Sequence, residues 1–531
     1  MPVQSSLKTI FFRVDASVSI GTGHLSRCKN LARFLKSRGC RILFLCRDHS
    51  DSLHQSLLDS DFEYLTLPRR SSGLLSETDS SYLGWLGCSE EQDANDCWEL
   101  IKTRSTLVPD FIVVDHYAIS SIWETRISSY WSSAKLLAID DLANRSHCVD
   151  FLIDSGRLGS FGDSGYQDLL DNHVVTLFGP FFSLLTSDYL EFRQSSSTRH
   201  SLGRILVFFG GVDHSNVTLV ALQALLESNL QGINVDVVLG NSAPHLNQVK
   251  AFVSQIAGWK LHIGMPSLAP LVNEADLALG AGGVHSWERA CLGLPAITTP
   301  VADNQLDLLA GLSTCGAITT ITQSKSSDLL TSFCEQLKTL QGAHSQLSDM
   351  SEAAFILLDG YGVNRVAALM LGIIQPVFLR PACDRDLGLY FWWCNDPTVR
   401  QSSLQVSSIT LEEHKEWFMD SLSSSLALLR LLVDSDGLPL GQIRFVRTEN
   451  DLNRVVVSFS IDRLFRGQGL ASKLLNLGLT DLARTWRDVA EVKAYVKCGN
   501  EPSARVFLST GFQEQASPEL GLRYFLKPLR S

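Results

Sequence analysis

The chain has 531 residues, 45% hydrophobic and 19% charged, with 45 Lys and Arg against 56 Asp and Glu for a formal net charge of −11. That length exceeds one hydrophobic core and predicts about three domains. The acidic balance, with no basic run to offset it locally, argues against nucleic acid as a partner, because phosphate-backbone binding needs clustered Lys and Arg. A membrane partner is not expected either. The longest apolar stretch, Ala367 to Leu379, is interrupted by Gln375 and Pro376, well short of about 20 apolar residues. The N-terminus meets Arg13 and Asp15 without the pattern of a signal peptide. Twelve cysteines are scattered without a CxxC pair, which reads as buried reduced thiols in a cytoplasmic enzyme rather than a metal site.

Along the chain, continuous apolar runs predict strands at Thr9–Val14, Arg41–Cys46, Phe111–Asp115, Lys135–Ile139 and Phe151–Ile153, with a helix over Leu25–Lys36. Strands apolar on both faces, alternating with helices, imply a parallel sheet covered on both sides. A polar stretch, Gln194–His200, reads as a hinge or linker. The alternation then restarts with strands at Arg204–Phe209, Val235–Leu239, Leu277–Leu279 and Ala296–Thr298, a helix from Val217 and a closing helix over Val363–Leu371. Two successive Rossmann-like lobes of this kind form a cleft at the carboxyl ends of their strands, where such sheets bind ligands. From about Pro376 the tryptophans Trp392, Trp393, Trp417 and Trp486 and a mixed order of strands and helices predict an α+β domain. The expected divisions are 1–195, 200–375 and 377–531.

Between the first strand and first helix lies Arg13-Val14-Asp15-Ala16-Ser17, then Ile20-Gly21-Thr22-Gly23-His24. Glycines there let the backbone turn and approach a ligand at a helix N-terminus that favours negative charge. The missing third glycine fits poorly to a dinucleotide fingerprint. His24, at a helix start facing a strand-end cleft, is placed either as a general base or as a hydrogen-bonded structural histidine. A second string, Gly280-Ala281-Gly282-Gly283-Val284-His285-Ser286-Trp287-Glu288-Arg289, opens a helix after another apolar strand. Glu288, one turn in, can hold a ribose diol through two hydrogen bonds or serve as a dipole partner of its own helix.

Residues 1–375 resemble the UDP-2,4-diacetamido-2,4,6-trideoxy-β-L-altropyranose hydrolases of pseudaminic acid biosynthesis, which are related to spore-coat-polysaccharide glycosyltransferases. The matching pieces are Arg13–His24 with Arg27, Val113–Tyr117, Ile139–Arg145, Gly210-Gly211-Val212-Asp213, Gly282–Glu288, Asn304-Gln305 and Asp359-Gly360-Tyr361-Gly362, all in family order. The resemblance implies a two-lobed glycosyltransferase-B fold, with UDP held mainly by the second lobe and the sugar presented to His24. It implies that His24 activates water for inverting attack at the anomeric carbon, without metal or cofactor. The UDP-sugar contacts it implies are Arg13, Asp15, Gly21, Gly23, Arg27, Gly210, Gly211, Gly282, Gly283, Ser286, Glu288, Asn304 and Gln305. One departure is Val284-His285, where small hydroxyl residues are common in the family.

In the last domain a strand over Val455–Ser460 leads into Arg466-Gly467-Gln468-Gly469-Leu470-Ala471-Ser472 and a helix over Lys473–Leu482. Glycines in such a loop free successive amides to wrap a pyrophosphate. A strand at Glu491–Val496 is followed by Asn500-Glu501-Pro502-Ser503-Ala504, Phe507 and Gly511-Phe512. This arrangement resembles the GNAT superfamily of acetyl-CoA-dependent N-acetyltransferases, in the branch acting on amino sugars or protein N-termini. The resemblance implies acetyl-CoA as co-substrate, bound by Arg466 through Ser472, with Asn500 and Ser503 on the pantetheine arm. Many members carry a tyrosine acid where this chain has Phe507. Tyr495 is a candidate replacement or a packed strand aromatic. Together the two halves predict a bifunctional sugar-nucleotide enzyme. Glycosyl transfer by the first two lobes, or a UDP-sugar-binding module joined to a protein acetyltransferase, are the alternatives.

Overall fold

The computed structural model describes residues 7–529 apart from 51, 55–60, 71–81, 105, 159–164, 231, 323–324, 449–450 and 518–519. The first sheet is seven-stranded and wholly parallel: β1 (Thr9–Val14), β2 (Arg41–Arg47), β3 (Glu63–Leu67), β4 (Phe111–Asp115), β5 (Lys135–Ile139), β6 (Phe151–Asp154) and β7 (Val175–Phe178), in the order 3-2-1-4-5-6-7. The second sheet repeats the order with β8 (Arg204–Phe208), β9 (Asn234–Leu239), β10 (Trp259–Ile263), β11 (Leu277–Gly280), β12 (Ala296–Thr298) and β13 (Ile318–Thr320), arranged 10-9-8-11-12-13. In each sheet the strand order reverses between the first strand and the fourth. Ligands of doubly wound sheets bind in the crevice outside the strand ends at that switch point. Both glycine loops emerge there, one after β1 and one after β11.

The predicted strands of both lobes are present. The sequence reading missed β3, β7, β10 and β13, which lie at or beside sheet edges. Two of them, β3 and β10, are only half-buried, so they lack the continuous apolar run that marks a central strand. The polar stretch after Gln194 is not a free hinge. Arg199 is buried and donates to the backbone carbonyls of Val272, Asn273, Ala275 and Leu292, fastening the stretch to the second lobe. The preceding helix, Ser187–Ser195, packs there too, with Tyr189 in the second lobe's core and Arg193 donating to the carbonyls of Cys291 and Phe355. The chain therefore leaves the first lobe before residue 195, near Phe181–Leu185. It returns through Gly362 and Arg365, which meet the backbone of Ser183 and Phe181. This crossing and return complete the two-lobed glycosyltransferase-B architecture.

By length and apolar character alone, His344–Leu371 passes for a membrane span, a stretch the sequence reading overlooked in favour of Ala367–Leu379. Here it forms two helices of 14 and 10 residues, His344–Leu357 and Gly362–Leu371, broken at Leu358–Tyr361. Each is shorter than the about 20 residues a crossing helix needs, and half of the apolar window is buried inside the protein.

The third domain forms its own compact unit, the division falling between Ala367 and Ala368. Its seven-stranded sheet runs β14 (Phe378–Pro381), β15 (Ala427–Val433), β16 (Pro439–Thr448), β17 (Asp451–Ile461), β18 (Glu491–Lys497), β20 (Leu522–Pro528) and β19 (Gln513–Gln515) in that spatial order. Antiparallel pairing holds everywhere except between β17 and β18, which are parallel and pair only over Arg454–Val456 and Glu491–Lys493. Beyond those residues the two strands part, leaving facing backbone edges without each other as partners.

Candidate active site

In the first lobe the glycine loop after β1 delivers His24 to the first turn of helix α1 (Gly23–Ser37). Gly21 has a φ of +85°, and neither it nor Gly23 has any atom within 4 Å of where a Cβ would stand. The loop therefore presents bare backbone to the cleft. His24 is nearly buried, and its Nδ1 lies 2.6 Å from Asp115 Oδ1 at the end of β4. Asp115 is held in turn by Arg27 one turn along α1, through Nε at 2.6 Å and Nη2 at 2.7 Å. Burial opposes the charge on Asp115, but Arg27 and His24 hold its carboxyl well below the ordinary range. An ionised partner at Nδ1 fixes the tautomer with Nδ1–H donating, and leaves Nε2 as the proton acceptor. Among the described residues, Nε2 has no hydrogen-bond partner. Arg27 also reaches Asp141 at 2.7 Å, and the Tyr117 hydroxyl donates to Asp141 at 2.8 Å.

Arg13 and Asp15, read from the sequence as substrate contacts, lie below this surface. Both are fully buried, and Arg13 spends its guanidinium on Asp15 and Asp93. Arg47 joins from β2, pairing with Asp93 and Asp96. Burial works against these charges, yet the two arginines hold the Asp93 carboxyl at about 2. Removing one member of such a network strands a buried charge, so the motif's Arg and Asp act as scaffold for the loop above them. Sequence reasoning saw the pair but not Asp93 or Arg47, which come from 80 and 34 positions away from Arg13.

The second lobe supplies two glycine loops that differ in one respect. Gly210, with φ +111°, and Gly211 leave open space where side chains would be, and Gly240 approaches the Gly211 carbonyl too closely for any Cβ. The helix that follows, α2 (Val217–Glu227), is closed to anions because Asp213 accepts from the Val217 and Thr218 amides at 3.0 and 2.9 Å. Helix α3 (Val284–Cys291), by contrast, begins at Gly283 with φ +99°, no side-chain cap and no acidic residue in its first turn. Its uncapped amides favour a negatively charged ligand.

Gln305 braces this loop, its Oε1 accepting from the Gly282 and Val301 amides, and a side chain at Gly282 would strike Gln305. Ser286 is buried and accepts from Arg289. Ser286 therefore supports the loop from inside the fold, while Gln305 braces it and stays half-exposed. Asn304 is exposed, and its Nδ2 stands 3.4 Å from the Tyr117 hydroxyl of the other lobe.

Glu288 is only slightly exposed, and one carboxylate oxygen takes His285 Nδ1 at 2.6 Å. Burial alone would raise its carboxyl, but His285 keeps it lowered. An ionised carboxylate can accept from a ribose diol, here with the Tyr189 phenol also beside it. Glu288→Ala is expected to weaken UDP binding by about 1.5–3 kcal/mol, the scale of a hydrogen bond to a charged group. Calorimetry of UDP binding checks this, and unchanged affinity would leave Glu288 as a partner of its own helix.

In the third domain Arg466 donates to the Ile461 carbonyl and to Asp396. Gly467 and Gly469, with φ +79° and +75°, have open space where a Cβ would stand, and Gln468 between them is exposed. Gly469 caps helix α4 (Leu470–Thr485) without a side-chain acceptor, Leu470 anchors the loop in the core, and Ala471 and Ser472 are half-buried in the first turn. Asn500 caps helix α5 (Glu501–Ser509), its Oδ1 accepting from the Ser503 amide, so its Nδ2 is the group left for a ligand. Phe507 is buried against Phe459, Phe512 and Phe525 and belongs to the core. Tyr495 is exposed beside Tyr524.

Residues 377–513 match the acetyltransferase (GNAT) domain family. Over 363 residues, 68% of this chain and 97% of the relative, the chain is 21% identical to the spore coat polysaccharide biosynthesis protein SpsG of Bacillus subtilis. Over 267 residues, half of this chain and 82% of the relative, it is 22% identical to the UDP-2,4-diacetamido-2,4,6-trideoxy-β-L-altropyranose hydrolase of Campylobacter jejuni. An uncharacterised protein of Methanocaldococcus jannaschii aligns at 20% identity over 94% of this chain and 96% of its own length, so the two-part organisation extends through that relative. The chain is thus a fusion of a two-lobed region related to UDP-sugar hydrolases of this kind with a C-terminal GNAT acetyltransferase domain.

Proposed function

We propose that residues 1–375 hydrolyse UDP-2,4-diacetamido-2,4,6-trideoxy-β-L-altropyranose to the free sugar and UDP, and that the C-terminal domain acetylates the preceding UDP-4-amino sugar with acetyl-CoA. The two are consecutive cytoplasmic steps of pseudaminic acid biosynthesis. The observation that carries the first reaction is the pairing of His24 Nδ1 with Asp115, which leaves Nε2 as acceptor at the cleft. Water gives a proton to Nε2 and its oxygen attacks the anomeric carbon. The bond to the β-phosphate oxygen breaks, its electron pair leaves on UDP, and configuration inverts. Asp115 offsets the imidazolium that forms, and the uncapped amides at the start of α3 stabilise the departing diphosphate. In the second reaction the sugar amine attacks the thioester carbonyl, the C–S bond breaks with its electron pair on CoA, and the proton the amine loses passes through water to the departing thiolate.

Incubating the purified chain with the UDP-sugar alone tests the first step. Free sugar released without an acceptor supports hydrolysis, whereas turnover only with an acceptor would make the first two lobes a glycosyltransferase. The same test applies to the parts. A fragment ending near residue 375 should release UDP from the diacetamido sugar nucleotide without acetyl-CoA. A fragment beginning near 376 should consume acetyl-CoA only with an amino-sugar nucleotide. Each compact unit buries its own core. A folded first fragment that needs the second for turnover would refute independent action.

A further inference from the structure

In the third domain Arg444 stands apart from the arginines around it. Arg380, Arg430, Arg447, Arg454, Arg466 and Arg523 each meet a carboxylate within 3.0 Å. Arg444, on β16, has no carboxylate or carbonyl partner among the described residues, although it is largely, not wholly, buried. Burial pushes its guanidinium below the ordinary pKa, and the Tyr390 phenol offsets this only in part. The guanidinium carbon lies over the Trp417 ring, 5.0 Å from the centroid. A buried cation without a counter-ion is costly, and an indole face returns only part of that cost. Stacking leaves the N–H rim of the fork free to receive an oxyanion in its own plane.

Strand alternation sets where Arg444 points. Its neighbours Ile443 and Phe445 are buried against α4, where Gly478 gives them room, so Arg444 lies on the opposite face of the sheet. On that face Gln442 lies two residues back along β16, with Ser458 across from Arg444 and Ser460 across from Gln442 on β17. Gln442 donates to Ser460 at 3.2 Å, and Gln442, Ser458 and Ser460 are all half-buried. Two helices flank this polar strip, Leu387–Cys394 carrying Tyr390 and Leu411–Ser423 carrying Trp417. The Tyr390 and Phe418 rings join them, with centroids 4.9 Å apart. At the end of β17, Trp393 donates to Asp462, and the Ile461 carbonyl accepts from Arg466 of the glycine loop. The polar strip beside the unpaired cation and the glycine loop are therefore built on one strand.

We propose that Arg444, held by Trp417, is the anion-receiving determinant of the acceptor site, and that the amine acetylated by this domain carries an oxyanion, a phosphate or a carboxylate, that pairs with the guanidinium. This rests on acetyl transfer by the domain, whose residues 377–513 match the GNAT family, and not on the reaction of the first two lobes. It adds the charge of the acceptor and the residue that reads it. A polyamine would set like charges together at Arg444, and an amino sugar without phosphate would leave the guanidinium unpaired.

The test measures acetyl transfer by the full-length chain, at saturating acetyl-CoA, to four amines. These are a UDP-4-amino-4,6-dideoxy sugar, the same amino sugar without its nucleotide, a peptide with an N-terminal aspartate, and spermidine. The wild-type chain should prefer one of the two anionic amines. Arg444→Gln should raise KM for that amine about 10–100-fold, the loss of a charged hydrogen bond, with kcat within a few-fold and KM for acetyl-CoA unchanged. Arg444→Lys, which keeps the charge and loses the fork, should recover part of the affinity. Trp417→Ala supplies the same comparison should circular dichroism show Arg444→Gln misfolded. An Arg444-dependent preference for the nucleotide identifies a phosphate as the anion. The same preference for the peptide identifies a carboxylate, and removes the amino-sugar reading while this proposal stands. Nucleotide turnover with an unchanged KM in folded Arg444→Gln overturns the proposal and leaves the amino-sugar reading intact. A preference for spermidine or the free sugar, no turnover of either anionic amine, or equal loss of all amines and acetyl-CoA also overturns it.

Discussion

His24→Ala should slow UDP release by about 10²–10⁴-fold, the usual contribution of a general base, while UDP binding stays within a few-fold of wild type. Two parts of the structure set this pattern. The imidazole belongs to the first lobe and is anchored by Asp115 and Arg27, so losing it removes the proton acceptor without disturbing the second lobe's loops. The second lobe's loops at Gly210-Gly211 and Gly282-Gly283 present backbone, the latter braced by Gln305, and neither depends on the imidazole, so UDP held there would keep its seat. Single-turnover release of UDP, measured beside calorimetric UDP binding, checks both halves. Wild-type hydrolysis in a folded His24→Ala protein would remove the proposed base. Glu288→Ala should show the reverse pattern, a weakened UDP complex with little change in the rate from the bound state, and the contrast separates the base from the nucleotide contacts.

Gly469→Asp should abolish acetyl transfer and spare hydrolysis. Gly469 sits at φ +75° as the cap of α4, with nothing within 4 Å of where its Cβ would stand. No neighbouring atom therefore needs glycine there for packing. The left-handed conformation alone makes any side chain somewhat costly, and the carboxylate adds repulsion towards the CoA pyrophosphate at a helix N-terminus. Gly469→Ala carries the backbone cost without the charge and should do less damage. The pair thus divides electrostatics from backbone strain. Circular dichroism alongside an acetyl-CoA titration is the measurement, and a folded Gly469→Asp protein with normal acetyl-CoA affinity would overturn the assignment of this loop.

Much of the architecture was legible in the sequence because central strands of parallel sheets are buried on both faces. β1, β4, β5 and β12 stand at the residues their apolar runs predict. The glycine strings likewise announced the loops at Gly21, Gly283, Gly467 and Gly469, since the positive φ found at each favours glycine locally, whatever the rest of the chain does. What the residue string could not show is where each polar side chain in those motifs spends its hydrogen bonds. Arg13 and Asp15 read as contacts and are buried scaffold, because Asp93 and Arg47 fold against them from distant segments. Ser286 is buried behind its loop, Gln305 also braces that loop, and Asn500 also caps a helix. The polar stretch around Arg199 looked like a hinge and is pinned by backbone carbonyls of the second lobe. His24 read as a general base or a structural histidine, and only tertiary structure sets Asp115 against its Nδ1. In each case the deciding partner lies far along the chain. Local residue pattern specifies backbone conformation and burial, whereas the role of a polar or aromatic side chain depends on neighbours that only the packed fold brings to it.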